Sequence, residues 1–162
     1  MELASIGGQA RHDQNRTNRI EGDPSIYNDV MGMAGEIAVC KYYGVYPDLR
    51  IGPNRLGHDL KLEDLRIDVK TTKWREGYLC VGLNHKPLPH FIYLLVSQDG
   101  KNYTLQGWQW SEIIIQPQNR TKSGYRMEQS QLRDINEIEQ HRGHTNEQNM
   151  QGLQNRKASP VF

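Results

Sequence analysis

The stretch Gly57-His58-Asp59-Leu60-Lys61-Leu62-Glu63-Asp64-Leu65-Arg66-Ile67-Asp68-Val69-Lys70-Thr71-Thr72 decides how this chain folds. Apolar and polar residues alternate on both sides of Glu63-Asp64, as in two half-buried strands. A two-residue turn at Glu63-Asp64, or a four-residue loop from Leu62 to Leu65, gives one register: Leu60 opposite Ile67 and Asp59 opposite Asp68. Successive side chains on a strand point to opposite faces. One face is then Leu60, Leu62, Leu65, Ile67 and Val69, and the other is Asp59, Lys61, Arg66, Asp68 and Lys70.

Two carboxylates directly opposite across a strand pair bring their β-carbons to roughly 4.5–5.5 Å, which destabilises unless something compensates. A divalent cation compensates, since Mg²⁺ takes oxygen ligands from one or two carboxylates and fills its shell with water. Lys70 projects from the same face as Asp68 and completes an acid–acid–lysine group. A metal there would acidify a bound water, and Lys70 would orient that water or neutralise charge on a phosphate. A solvated polar face, with Lys61, Arg66 and Lys70 neutralising Asp59 and Asp68, accounts for the same alternation. The D/E-x-K pattern alone is weak: Asp59-Leu60-Lys61 and Asp99-Gly100-Lys101 match it as well as Asp68-Val69-Lys70. The middle match is set apart by the upstream Asp59 and by an acid on the preceding helix.

That helix begins near Asp23, which caps, and Pro24, which suits the first helical position, and it ends at Gly44. Ile26, Val30, Met33, Ile37 and Cys40 recur at helical spacing and define a buried stripe. Glu36 falls at the stripe's edge, and Gly32 and Gly35 leave that side of the helix bare. Downstream, short strands are expected at 58–62, 65–71, 78–82, 91–97 and 103–108. The apolar run Phe91 to Val96 reads as a central strand buried on both faces. Ser111 caps a short helix through Ile113-Ile114-Ile115, unless the isoleucines form a strand. Leu132, Ile135 and Ile138 suggest a last helix from Ser130. Trp108 and Trp110 face one side of a strand and favour core packing over base stacking.

Three parts result: an N-terminal helix or arm over 1–22, a domain over 23–140, and a polar, mobile tail over 141–162. Within the domain, Lys61 and Arg66 share the acid face. Thr71, Thr72, Lys73 and Trp74 follow it, with Arg75 beyond. Together these residues are candidates to hold phosphates, with Trp74 stacking on a base.

The chain has 162 residues, 36% hydrophobic, with a net charge of +1. This length fits one domain. The near-zero charge excludes a globally basic nucleic-acid or membrane binder, though not a local patch. Residues 57–75 carry nine charges that sum to +1, so acids and bases interleave on the hairpin. Met1-Glu2-Leu3-Ala4-Ser5 lacks the basic and apolar regions of a signal peptide. The run 91–96 is too short to span a bilayer. Cys40 and Cys80 stand apart, with no zinc spacing and no disulfide framework, which suits a reducing cytoplasm. No Walker glycine loop is present, so no nucleotide cofactor is expected.

Gly35-Glu36 on a helix, Asp59 at a strand start and Asp68-Val69-Lys70 on the next strand resemble the PD-(D/E)xK, or restriction-endonuclease-like, nucleases. A strand ending in Gly82, the apolar strand 91–96 and Gln106-Gly107-Trp108 continue a pattern similar to small phage and bacterial nuclease domains. The resemblance covers roughly residues 30–140 and is specific at four or five of them. It implies an α/β (α+β) fold with a central mixed sheet flanked by helices. It also implies Mg²⁺-dependent hydrolysis of DNA phosphodiesters, with Mn²⁺ able to substitute. Asp59 and Asp68 would be the metal ligands, helped by the Val69 carbonyl, Glu36 would assist indirectly, and Lys70 would be the catalytic lysine. His58 stands where the family name has proline, and His90 stands where many relatives carry an acid. Two-strand or junction cutting would require a homodimer. A nuclease-like fold used only to bind DNA or a protein is the competing expectation.

Overall fold

The hairpin forms in the register its alternation predicts. The computed structural model describes residues 25–47 and 57–142. In it, β1 (Leu60–Leu62) and β2 (Leu65–Thr72) are antiparallel, with Leu60 opposite Ile67 and Leu62 opposite Leu65. Glu63-Asp64 is a two-residue turn, and Glu63 takes a φ of 53°. Such a positive angle lets a tight turn follow the twist of its strands. Leu60, Leu62, Leu65, Ile67 and Val69 all enter one buried cluster, as the alternation requires.

Beyond β2 the sheet continues with β4 (Phe91–Asp99), parallel to it, and β5 (Asn102–Trp110), antiparallel to β4. The order is β1-β2-β4-β5. Ile92, Leu94 and Val96 enter the cluster on one face, and Phe91, Tyr93 and Leu95 enter a second cluster on the other. That placement explains the unbroken apolar run. β3 (Leu79–Gly82) leaves the main sheet and pairs with β6 (Gly124–Met127) as a separate antiparallel ribbon. The expected strands all occur, with ends moved by at most two residues, while β6 is a strand that four mixed residues did not announce.

The first face is covered by α1 (Ser25–Tyr43), through Val39 and Cys40, and by a 3-10 run over Ile135–His141, through Ile138. The second face is covered by the β3–β6 ribbon and the short helix α2 (Ser111–Ile114), through Leu79, Val81, Met127 and Ile114. The fold is therefore α+β with a mixed sheet. The expected flanking by helices is corrected for the second face, where a ribbon does most of the covering.

Gly44 ends α1 at a φ of 66°, and the Val45 amide reaches back to the Cys40 carbonyl at 2.9 Å. This six-to-one bond satisfies a carbonyl that the last helical turn leaves open. Three local expectations change. Ser111 does not cap α2; its Oγ donates to the Leu88 carbonyl and accepts from the Leu88 amide. The isoleucine run starts as helix, which removes the strand alternative. The last helix is a 3-10 run, started by Asp134 accepting from the Asn136 amide. Trp108 is fully buried and Trp110 packs beside it. Gly107 lets β5 pass close to residues 132–133, where a β-carbon would lie 2.8 Å from Leu132. No helix among the described residues is long and apolar enough to cross a membrane. The cap at Asp23-Pro24, the Ile26 side chain, the 1–22 segment and residues 143–162 of the expected 141–162 tail lie outside the described residues, while His141 and Arg142 belong to the end of the 3-10 run.

Candidate active site

β1 is three residues long and β2 is eight, so the outer edge of β2 runs on past its partner. The Asp59 amide still bonds to the Ile67 carbonyl at 2.9 Å, but the next ladder position is taken by a side chain. Asp59 Oδ2 accepts from the Val69 amide at 2.8 Å. The carboxylate thus stands where a strand carbonyl would, at the mouth of an open sheet edge. The simple expectation of Asp59 and Asp68 side by side on one polar face is modified accordingly.

Glu36 reaches this place from α1. The helix face turned to the sheet holds Met33, Glu36, Val39 and Cys40, all buried. Glu36 lies in the middle of that face rather than at the edge of an apolar stripe, and Val30 and Ile37 are only half-buried. Gly35 permits this: its built β-carbon would sit 2.0 Å from Thr71 Oγ1. The helix therefore seats directly on β2, and the acid that follows Gly35 is delivered to the site.

The electrostatics show which groups meet. Asp59 is pushed up from its ordinary 3.8 to about 7 by burial first, then by the charge of Glu36, then by that of Asp68; the Val69 amide and Lys70 act the other way. Glu36 and Asp68 are each 7% exposed. Cys40 borders the same cluster, its thiol raised to about 11 by burial and by Glu36 and Asp59. Two further carboxylates and Lys70 thus converge around Asp59.

Lys70 Nζ lies 2.5 Å from Asp68 Oδ1, a close ion pair whose geometry is not that of an aligned hydrogen bond. The ammonium also stands 5.7 Å from the Tyr93 ring. Tyr93 Oη is within 2.9 Å of His85 Nδ1, and burial together with the Asp68 charge raises the phenol well above its usual range. Tyr93 and His85 belong to the surroundings of this site, yet sequence reasoning passed over both. The only signal was a tyrosine inside an otherwise hydrocarbon central strand.

The candidate phosphate-binding residues separate. Arg66 is committed to the scaffold, donating to the Pro89 carbonyl at 2.7 Å and standing over the Phe91 ring. Lys61 is exposed near the Asp64 carboxylate. Thr71 faces α1 in the seam against Gly35. Thr72 Oγ1 accepts from the Trp74 amide and shapes the following turn. Lys73 and Trp74 stay exposed, with the ammonium 5.2 Å from the indole ring. His141 packs its ring against Trp108 and Trp110.

Among the described residues, no three His, Cys, Asp or Glu side chains stand as a ready metal-holding set. Magnesium does not require one, because it is held by one or two carboxylates and keeps several waters. Crowded carboxylates at an open edge, with a buried Asp68 oxygen that receives no aligned donor, fit that mode. Comparison of the chain with protein-family models, curated proteins and solved structures returned no match.

Proposed function

We propose that this protein is a metal-dependent DNA endonuclease of restriction-endonuclease-like fold, hydrolysing phosphodiester bonds. One observation carries the reading: Glu36 and Asp68 both repel Asp59 at an open strand edge, with Lys70 beside Asp68. Burying like charges is costly, and a site that binds a cation recovers that cost. Asp59 and Asp68, with the Val69 carbonyl, would hold Mg²⁺ or Mn²⁺, and Glu36 would join through water. When bound, such an ion polarises a phosphate oxygen and lowers the pKa of its water. Lys70 would orient the attacking water or meet charge growing on the phosphate. Cleavage of branched junctions uses the same chemistry, and it would require a homodimer because one site cuts one strand. The dispersed cysteines suit a reducing cytoplasm, that of a host cell if the protein is phage-encoded.

The test is nicking of supercoiled plasmid with Mg²⁺ or Mn²⁺ against Ca²⁺ and EDTA. Asp68→Ala and Lys70→Ala should each lower the rate about 100-fold or more while the circular dichroism spectrum is kept. Variants that cut like the wild type would remove the site. A second reading draws on the 2.5 Å Lys70–Asp68 pair, which already neutralises one acid internally: a nuclease fold that only binds DNA or a protein partner. Binding of DNA with no cleavage of linear, nicked, single-stranded or branched substrates would favour it.

A further inference from the structure

The β3–β6 ribbon has an outer face that the carboxylate site does not use. Leu79, Val81, Tyr125 and Met127 turn inward to the second core. Tyr78 and Cys80, just before and on β3, and Arg126 on β6 are exposed. The register sets Cys80 opposite Arg126 and Gly82 opposite Gly124. The glycine pair closes the end of the ribbon, where a β-carbon on Gly124 would lie 2.3 Å from the Val81 carbonyl oxygen and one on Gly82 2.8 Å from the Asn84 side chain. A depression of about 610 Å³ lies on this face, and Tyr78, Arg126 and Lys122 are among its walls. None of Glu36, Asp59, Asp68 or Lys70 lines it.

Two features identify what this face would hold. The first is a repeated pairing of an exposed ring with a cation. The Arg126 guanidinium stands 4.3 Å from the Tyr78 ring centroid, and Lys73 stands 5.2 Å from that of Trp74. Trp74 is 66% exposed and Tyr78 is 42% exposed. The segment between them is braced: the Trp74 amide donates to Thr72 Oγ1, the Gly77 amide to the Trp74 carbonyl, and Gln129 Nε2 to the Arg75 carbonyl at 2.9 Å. Both platforms are thus held in place without being buried. The second feature is charge. Residues 73–82 and 120–128 together sum to +3, with Glu76 and Glu128 included, against +1 for the whole chain. Flat rings backed by cations on a positive surface are the recognition chemistry of unpaired nucleotides, whose bases stack while the phosphates meet the charges. In a duplex those base faces are already covered.

We propose that the outer face of the β3–β6 ribbon, with the Lys73–Trp74 turn leading to it from the end of β2, docks a single-stranded stretch of nucleic acid. The proposal rests on the nuclease reading in one respect: the same β2 carries Asp68 and Lys70, so a strand held there is substrate for that site. DNA and RNA share the chemistry used, and single strands of either should occupy the face.

Cys80 supplies a footprint, since it is exposed in the middle of the face while Cys40 is buried. The full chain is alkylated with iodoacetamide in EDTA, with site-resolved mass spectrometry, alone and with single-stranded DNA, single-stranded RNA or duplex of about 12 nucleotides. Single strands should slow Cys80 alkylation severalfold, and duplex should not. In fluorescence anisotropy, Tyr78→Ala, Trp74→Ala and Arg126→Ala should each weaken single-strand binding about fivefold or more with unchanged melting temperature. Alkylation at the same rate under saturating oligonucleotide would overturn the docking surface, as would protection by duplex alone. Wild-type affinity in all three variants would do the same. Plasmid nicking without Cys80 protection overturns this surface and leaves the nuclease reading standing. Protection without any cleavage supports this surface and overturns the nuclease reading.

Discussion

Asp59 Oδ2 accepts the Val69 amide at 2.8 Å, so a side chain closes the strand ladder where β1 stops. The bond gives Asp59 two roles that substitution can separate. Its acceptor oxygen finishes a backbone edge, and its charge repels Glu36 and Asp68.

Asp59→Asn keeps an acceptor for the Val69 amide and removes the charge, whereas Asp59→Ala removes both. In EDTA the Asn variant should be at least as stable as the wild type to urea. The Ala variant should lie about 1 kcal/mol below the Asn variant, the usual net worth of such a bond. Both should lose nicking activity. Equal urea midpoints for the two variants would show that the bond contributes nothing.

Stability should also depend on pH through this residue. With its folded value raised from 3.8 to about 7, Asp59 keeps a proton in the folded chain that the unfolded chain has released between those limits. Its contribution is full below about 4 and is lost as pH rises through about 7. In EDTA, the urea midpoint of the wild type should therefore fall relative to Asp59→Asn between pH 5 and pH 8. A constant difference across that range would contradict the placement of Glu36 and Asp68 around it.

Divalent cations should act in the opposite sense. Mg²⁺ or Mn²⁺ binding to the folded chain raises its melting temperature by mass action. The rise should be larger above about pH 7 than near pH 5, because the carboxylates must be ionised to bind. Asp59→Asn and Asp68→Asn should each abolish most of it. Thermal shifts that persist in both variants would place the cation elsewhere.

Gly35 and Thr71 form a matched contact. Gly35→Ala puts a methyl 2.0 Å from Thr71 Oγ1 and should destabilise by about 1–3 kcal/mol, as overpacking does, despite the better helix propensity of alanine. Adding Thr71→Ala should recover most of the loss, giving a coupling that a double-mutant cycle reads directly. Additive effects would mean that α1 does not seat on β2 at this point.

The two thiols should differ sharply. Cys80 is exposed, whereas Cys40 is 1% exposed with its thiol raised to about 11. Near pH 8 one equivalent of a disulfide reagent should react at once and the second only in denaturant. Two fast thiols would contradict the packing of α1.

Much of the sheet was legible because its physics is local. Strict alternation around Glu63-Asp64 is compatible with one strand pairing, since a slip of one residue would expose Leu60, Leu62, Ile67 and Val69 together. The run 91–96 has no polar face, and only a strand covered on both sides buries it. Gly44 ends the helix because a positive φ there costs glycine least. Other features needed the third dimension. The β3–β6 ribbon joins segments more than forty residues apart, and nothing within Gly124-Tyr125-Arg126-Met127 names its partner. The helix stripe pointed to Ile37, yet contact with Thr71 through Gly35 rotated Glu36 into the middle of the buried face. The sequence by itself determined the hairpin, its register and the acids and lysine it carries. Only the tertiary structure decided that Glu36, rather than Asp68, is the foremost charge acting on Asp59, because long-range packing of α1 against an unfinished strand edge brings them together. It also decided that Tyr78 and Arg126 share one face with Cys80, since that neighbourhood exists only once β3 and β6 pair.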